Sequence, residues 1–312
     1  MKRIVSIFVC LCMLFVACFS LTACDDRDYE KAVALLDAGE YEEARELFAA
    51  LGDYEDSEDY LAGFCYLPYR VDYNYVGRTG TFDITFNSDN LIVGMSSVSN
   101  EGVSSDNVFR YDERGDMVHS ETTKNGVTVI YDYVFTSDGN FATSVYTDSN
   151  GFNMYHLFDY DENGNLTTQL CLDTEGYFYQ IYYSYNENGL LASEEYIYPD
   201  GTPYSLFISY EYDENGNVVK EICSNEWGGQ ESIEYTYDDN QNVVKKVYNQ
   251  HDGSQTIHEY SYDTNGNITS IIRTDDDGTV QSLAFHYKLV YVAGGITNAT
   301  NNFFREYLYE TL

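Results

Sequence analysis

The sequence has 312 residues, of which 52 are acidic and 16 basic, giving a formal net charge of −36 at pH 7. A surface of this charge repels nucleic acid phosphates and anionic lipid headgroups, which excludes both as partners. Aromatic residues make up 16% of the chain and include 33 tyrosines, which excludes a disordered polyanion because such chains are poor in aromatics. The composition favours a β body packed by tyrosine.

Residues 1–23 have the composition of a secretory signal peptide. Lys2 and Arg3 precede an apolar run that ends at Leu21, and residues 21–24 read LTAC, which resembles the bacterial lipobox. The resemblance implies cleavage before Cys24 and lipid on its sulfur. It also implies an extracytoplasmic protein that is lipid-anchored to the bacterial cell membrane. The alternative is a retained membrane helix that contains a free cysteine.

Residues 24–66 favour short helices. Two runs of helix-forming residues end at Gly39 and Gly52, and a third helix begins near Ser57. The segment resembles one tetratricopeptide repeat plus a following helix, and the residues that carry this resemblance are Leu36, Gly39, Tyr41, Ala44, Phe48 and Leu51. Two interpretations follow: a cap or spacer that covers the first sheet edge, or an independent partner-binding module. Residues 67–80 are predicted to be a linker.

A repeat of about 25 residues organises residues 81–292, and residues 293–312 follow as a C-terminal tail. Each unit contains one aromatic anchor, and consecutive anchors are 24 to 27 residues apart. The anchors are Phe86, Tyr111, Phe135, Tyr160, Tyr185, Tyr212, Tyr237, Tyr262 and Tyr287. Each unit has two turns separated by stretches of roughly eight residues, which predicts about eight β-hairpin units.

The segment after each anchor indicates a bulged hairpin turn. Residues 160–165 read YDENGN, and residues 212–217 repeat this sequence. Such a segment suits a type I turn followed by a glycine in the left-handed region, and Asn90 and Gln241 take the glycine position in two units. Apolar and aromatic residues alternate with polar ones in the strands that enter these turns. This period of two predicts a sheet with one buried face.

These units resemble the YD repeats of Rhs-type proteins over about residues 81–290, two-thirds of the chain. The resemblance implies a mainly β fold: antiparallel hairpin repeats that form a twisted meander or partial spiral, preceded by the short α-helical segment. Large Rhs proteins enclose a toxin in a shell of such strands. This chain has too few repeats for a closed shell and has Asn165 where arginine is frequent in the family. It also has no toxin domain after Tyr287, so the toxin-cage role does not carry over.

The sequence contains few candidate chemical sites. The Asp and Asn turns lack the spacing of an EF-hand, so turn chemistry is favoured over calcium binding. His156 and His258 lie four residues before an anchor and are predicted to be core histidines, because a shared metal site requires a closed spiral. Cys171 and Cys223 lie two units apart, too far for a disulfide unless the sheet curls back. No nucleophile, zinc, phosphate-loop or dinucleotide motif occurs, which predicts no enzymatic activity, no metal and no cofactor.

Exposed aromatic residues are the best indication of a ligand. Trp227 next to a glycine turn, together with Tyr182, Tyr196 and Tyr248, is predicted to stack on sugar rings. The alternative is an outward face that is merely rich in tyrosine. The sequence therefore predicts a non-catalytic, membrane-anchored surface lipoprotein whose repeats bind a carbohydrate or envelope protein ligand, or act in adhesion. The alternatives are a structural spacer or Rhs-like scaffold and an envelope hydrolase.

Overall fold

The computed structural model describes residues 25–88, 91–187, 189–198 and 203–291. The chain divides into two compact units. One unit contains the helices, the beginning of the first strand and the end of the last strand. The other contains the rest of the sheet, from Pro68 to His286. Cys24, the signal segment and the C-terminal tail lie outside the described residues.

Three helices precede eighteen strands in the described part of the chain. The helices are α1 (residues 25–37), α2 (Tyr41–Leu51) and α3 (Ser57–Gly63). The strands of the first half are β1 (Phe64–Tyr75), β2 (Arg78–Phe86), β3 (Ile92–Ser99), β4 (Ser104–Tyr111), β5 (Met117–Lys124), β6 (Val127–Phe135), β7 (Phe141–Asp148), β8 (Asn153–Tyr160) and β9 (Leu166–Asp173). The strands of the second half are β10 (Phe178–Tyr185), β11 (Leu191–Ile197), β12 (Pro203–Tyr212), β13 (Val218–Asn225), β14 (Gln230–Tyr237), β15 (Val243–Asn249), β16 (Gln255–Tyr262), β17 (Ile268–Asp275) and β18 (Val280–Tyr291).

The helical unit packs around Phe48 of α2. Phe48, Ala44 and Ala32 have no exposed surface, and the Phe48 ring stacks on Tyr60 of α3 with the ring centroids 4.6 Å apart. Gly39 follows α1 with a φ of 77°, a left-handed conformation that glycine adopts without strain. The helices lie where the sequence predicts them, although α3 ends at the start of β1. The likeness to a tetratricopeptide repeat stays a prediction.

The sheet is closed. Each strand pairs with the next along the chain, and β1 pairs with both β2 and β18. His286 Nε2 of β18 lies 2.8 Å from Asp72 Oδ2 of β1. The prediction of an open twisted meander or partial spiral is therefore wrong. Successive strands rotate in one sense, so a long meander curls, and pairing its two ends satisfies backbone groups that free edges would leave unpaired.

The sequence does not predict β1, the strand that closes the sheet, because its residues do not follow the 25-residue repeat. Residues 67–80, predicted to be a linker, belong to β1 and to the start of β2. The pairing of β1 with β18 joins segments from opposite ends of the repeat region, and no local pattern announces such a contact. A closed sheet has no first edge, so the interpretation of the helices as an edge cap loses its basis.

In five of the eight anchor hairpins, the turn is stabilised by the aspartate that follows the anchor. In the other three, the residue that follows the anchor accepts the equivalent hydrogen bond and is Asn87, Thr136 or Asn186. Asp161 Oδ1 accepts hydrogen bonds from the backbone N–H groups of Asn163 at 2.8 Å and Asn165 at 2.9 Å. The Asn165 side chain donates to Asp161 Oδ2 at 2.9 Å. Gly164 has a φ of 85°, and Gln241 holds the equivalent position at 67°, as predicted for the missing glycine. These hydrogen bonds explain the YDxNGN sequence as turn chemistry.

A bulge beside each anchor shifts the alternation of the departing strand by one residue. Tyr185 pairs with Leu191, whereas the residue before Tyr185 pairs with Ser193, so one residue between these partners is extra. Past the bulge, residues at odd offsets from the anchor return to its face, as the pairing of Tyr183 with Glu194 shows. The same register shift occurs in the other anchor hairpins, from β2–β3 to β16–β17.

The two faces of the sheet differ in exposure. On the side of the sheet that carries the anchors, the most buried apolar residues are only 1% to 8% exposed and include Ile84, Phe109, Ile181 and Ile271. On the other side, 41% to 64% is exposed for Val98, Val108 and Val134. A closed sheet crowds the side chains on its concave side, so the anchor side is the inner face and the opposite side is the outer face.

Candidate functional site

An aromatic cluster lies where β13 and β14 are joined. Trp227 is in the turn between these strands and is 72% exposed. Its ring stacks on Tyr204 of β12, with the ring centroids 4.9 Å apart and the ring planes at 30°. Tyr204 in turn pairs with Tyr196 of β11, at a centroid distance of 6.0 Å. These three residues form a continuous row, which is called the rim cluster below.

The turn holds Trp227 in place without burying its ring. Asn225 Oδ1 accepts hydrogen bonds from the backbone N–H groups of Trp227 at 3.0 Å and Gly229 at 2.9 Å. Gly228 has a φ of 83°, which favours glycine. A Cβ atom at Gly229 would lie 2.7 Å from Asn225 Nδ2, so this glycine is needed for the close approach. The backbone thus positions the indole, and most of its surface stays available to a ligand.

A carboxylate lies at the inner end of the rim cluster. The Tyr196 hydroxyl donates a hydrogen bond to Glu194 Oε2 at 2.6 Å. Burial, and then this carboxylate, raise the pKa of Tyr196, so the phenol stays protonated at neutral pH. The cluster therefore combines aromatic faces with a hydrogen-bond acceptor for hydroxyl groups.

The four aromatic residues predicted to stack on sugars do not share one surface. Trp227 and Tyr196 belong to the rim cluster. Tyr182 lies on the outer face of β10 and is 43% exposed. Tyr248 is half-buried on the inner face of β15, with its ring centroid 4.9 Å from that of His258.

Sequence reasoning missed Tyr204, which joins the two predicted members of the rim cluster. Tyr204 lies eight residues before the anchor Tyr212, further from it than the alternating positions that the prediction used. Its even offset from the anchor places it on the inner face and is the signal that identifies it. Simple alternation predicts that Tyr196 and Tyr248 face outward, because it omits the bulge beside each anchor that moves both residues to the inner face.

The inner face of β13–β16 carries charged side chains between tyrosine rings. Lys246 Nζ lies 5.6 Å from the ring centroid of Tyr235 and 5.8 Å from that of Tyr260. Desolvation raises the pKa of the half-buried Glu221, while a hydrogen bond from Tyr235 and the charge of Lys246 oppose this shift. The ammonium group is thus held by aromatic faces and a carboxylate together.

The two predicted core histidines lie on the inner face. His258 is 8% exposed, and desolvation lowers its pKa to about 4, helped by the positive charges of Arg273 and Lys246. Burial also lowers the pKa of His156, whose buried Nε2 atom has no hydrogen-bond partner. Both rings are therefore neutral at pH 7.

Three further observations concern the described residues only. No group of three or more His, Cys, Asp or Glu side chains among them could hold a metal ion. Cys65, Cys171 and Cys223 are free thiols. None of the described helices has the length and apolar character needed to cross a membrane.

Comparisons with known proteins give only distant structural likenesses. No family model and no curated protein matches this sequence. A porin-like protein from Bacteroides uniformis aligns with 71% of this chain and 96% of its own, at 11% identity and a TM-score of 0.41. A porin-like protein from Bacteroides vulgatus aligns with 71% of this chain and 98% of its own, at 11% identity and a TM-score of 0.28. The TcdB2-TccC3-Cdc42 structure aligns with 69% of this chain and 12% of its own, at 15% identity and a TM-score of 0.34. At these identities and TM-scores the likenesses assign neither a family nor a function.

Proposed function

We propose that the chain is a non-catalytic, lipid-anchored protein of the bacterial cell surface that binds a glycan at the rim cluster. The observation that carries this proposal is Trp227, a fixed and 72% exposed indole stacked on Tyr204. A large aromatic ring exposed to this extent gains little from burial in the fold, since only its stacking on Tyr204 covers it. It therefore gives the protein little packing advantage and suits a ligand that covers it.

The chemistry of the rim cluster fits a sugar. Aromatic faces pack against the C–H faces of a pyranose ring, and tyrosine hydroxyls and carboxylates exchange hydrogen bonds with its hydroxyls. Trp227 and Tyr204 supply the faces, and Glu194 beside Tyr196 supplies the acceptor. The row runs from an exposed turn to a half-buried side chain, which suits the end of a chain or a branch.

The charges on the outer face argue against insertion of the sheet into a bilayer. Exposed carboxylates stand at the middle of outer-facing strands, namely Asp83, Asp132, Glu234 and Glu259. A lipid-facing sheet carries an apolar band at this level, where charged side chains are costly. The sheet is thus expected to stand in water, with membrane attachment left to the lipid predicted on Cys24.

Glycan binding is tested on an array probed with the mature chain. We expect Trp227→Ala to abolish binding to the glycans recognised by the parent chain, and Trp227→Phe to retain part of it. Tyr182→Ala is the matched control, because it removes an exposed aromatic ring outside the rim cluster and should change nothing. Binding that survives Trp227→Ala, or that depends equally on Tyr182, would contradict the rim cluster as the site. A chain that binds no glycan at all would favour the structural spacer.

The lipid anchor has a separate test. Bacteria that express the chain and grow with a labelled fatty acid should incorporate label into the protein. The variant Cys24→Ser should lose the label and leave the membrane fraction. Label retained by this variant would contradict lipidation at Cys24.

A further inference from the structure

One sector of the sheet contains no positive side chain. No lysine or arginine occurs between Lys124 and Lys220, a stretch that includes fifteen acidic residues and all of β6–β12. Antiparallel neighbours in sequence are neighbours in the sheet, so these strands form one continuous surface. The ionised side chains of these strands are therefore all negative at neutral pH.

An apolar patch lies on the outer face within this sector. Five large side chains of β8–β10 are each between 37% and 43% exposed: Tyr155, Leu157, Leu172, Phe178 and Tyr182. Cross-strand pairing connects three of them, since Tyr155 pairs with Leu172 and Leu172 pairs with Phe178. Tyr182 lies on the same face of β10 and pairs with Thr168. Val145 of β7 and Leu170 of β9 pair with Tyr155 and Leu157 and fill the spaces between. These seven residues are called the outer patch below.

Carboxylates surround the outer patch. Glu195 of β11 pairs with Tyr182, and Asp159 follows Leu157 on the same face of β8; both side chains are exposed. On the opposite side, Asp132 of β6 pairs with Val145 and also contacts His119 Nδ1 at 2.6 Å. The patch thus combines exposed apolar surface with a rim of one charge sign, which is typical of a binding surface rather than of packing.

The negative charge around the outer patch decides which kind of partner it can bind. A second copy would present the same acidic rim, and an anionic bilayer would present the same sign of charge, so both are repelled. A partner with apolar side chains flanked by lysine or arginine complements both features. The patch spans β7 to β10, three strand spacings or about 14 Å, which accommodates one α-helix of about 10–12 Å diameter.

We propose that the outer patch binds a cationic amphipathic helix of another polypeptide, its apolar face on the patch and its basic residues on the acidic rim. Apolar contact supplies the affinity, and the carboxylates beside the outer patch steer the approach of the helix and fix its orientation. This surface is on the opposite face from the inner members of the rim cluster, and the proposal is independent of glycan binding.

The test uses three synthetic helical peptides and the full mature chain, with binding followed by fluorescence anisotropy. The first peptide has leucine on one face and lysine on the other. The second keeps the lysines and has serine in place of leucine, and the third keeps the leucines and has glutamate in place of lysine. We expect binding of the first peptide, at least about tenfold weaker binding of the second because the apolar contact is lost, and none of the third. Equal binding of the first and second peptides would reduce the effect to net charge and overturn the proposal.

Two pairs of variants locate the contact. Leu157→Thr with Leu172→Thr removes apolar surface from the patch without changing charge and should weaken the first peptide about tenfold. Val98→Thr with Val108→Thr likewise replaces apolar side chains by threonine on the outer face of β3 and β4 and should leave affinity unchanged. An equal loss in both pairs would overturn the proposal. The proposal would also be overturned if the parent chain self-associated or bound anionic vesicles and the variant with both Leu157→Thr and Leu172→Thr did not.

Discussion

The two halves of the closed sheet share one backbone repeat but differ in what they place inside. The inner position nine residues after the anchor is Ser120, Ser144 and Gln169 in successive units of the first half. In the next three units, the same position is Glu194, Glu221 and Lys246. Turn hydrogen bonds and bulges are the same in both halves. The repeat therefore specifies the path of the chain and leaves the chemistry of the interior free to vary.

In the second half of the sheet, tyrosine side chains contact the charged residues of the inner face. Glu194 accepts from Tyr196, and Lys246 lies over the rings of Tyr235 and Tyr260. The corresponding position of the neutral half needs less support, since Ser144 is a small side chain that a sheet interior tolerates when it is hydrogen-bonded. In the second half, the charged groups of the inner face therefore lie beside aromatic partners.

The largest effect is expected from loss of an apolar side chain in the neutral half. Phe109 is 2% exposed on the inner face, so Phe109→Ala should lower the free energy of unfolding by about 3–5 kcal/mol. Val108→Ala is the control on the outer face of the same strand, at 41% exposure, and should cost less than about 1 kcal/mol. Urea denaturation of both variants measures the difference. Similar losses would contradict the assignment of the two faces.

A smaller effect is expected from exchanging the chemistry of the two halves. Gln169→Glu puts a carboxylate at the neutral-half position, where Gln169 accepts a hydrogen bond from Tyr183 at 2.8 Å and no lysine matches Lys246. We expect it to destabilise the protein by about 1–2 kcal/mol at pH 7. Glu221→Gln should instead stabilise it, because the pKa of Glu221 is raised by desolvation and the native state prefers the neutral form.

The differences in stability between these two variants and the parent chain should depend on pH. As pH falls and Glu221 becomes protonated, the advantage of Glu221→Gln should vanish, since the parent side chain is then neutral as well. The penalty of Gln169→Glu should shrink for the same reason. Chemical denaturation at several pH values gives both curves, and a pH-independent difference would contradict desolvation as the cause.

At neutral pH, where both rings are uncharged, the smallest effect is expected from the two histidines, which hold the same repeat position in opposite halves. The pKa of His258 is about 4 in the folded protein, against about 6.5 for an unfolded chain, so its stabilising contribution is complete above pH 6.5. This contribution is lost as pH falls from 6.5 towards 4, because the unfolded chain takes up the proton more readily. His258→Gln should flatten this part of the stability curve. Burial also lowers the pKa of His156, and NMR titration of both rings checks the direction of each shift.

The local structure could be predicted from the sequence because each turn is specified by residues within the turn itself. Asp161 and Gly164 specify the turn by hydrogen bonding and by a left-handed φ, and Gln241 adopts the same conformation where glycine is absent. Closure could not be predicted, since it depends on a pairing of β1 with β18 that no repeat encodes. The location of Tyr196 on the inner face depends on a one-residue bulge that alternation alone does not reveal.

The candidate site could be predicted only in part. Trp227 was identified because a tryptophan in a glycine turn has nothing to pack against locally. The ring that it stacks on, Tyr204, belongs to a neighbouring hairpin, and that contact needs the register of β12 against β13. The outer patch was not predicted either, because its members become contiguous only through cross-strand pairing of β8–β10.

Closure of the sheet also has a consequence for how the chain folds. Hairpins can form one after another as the polypeptide emerges, because each strand pairs with its predecessor. The free edge of β1 has no partner until β18 has been synthesised, so a long row of backbone donors and acceptors is open to intermolecular pairing in the meantime. Addition of the last strand, rather than formation of the first hairpins, is then the step that ends the risk of aggregation.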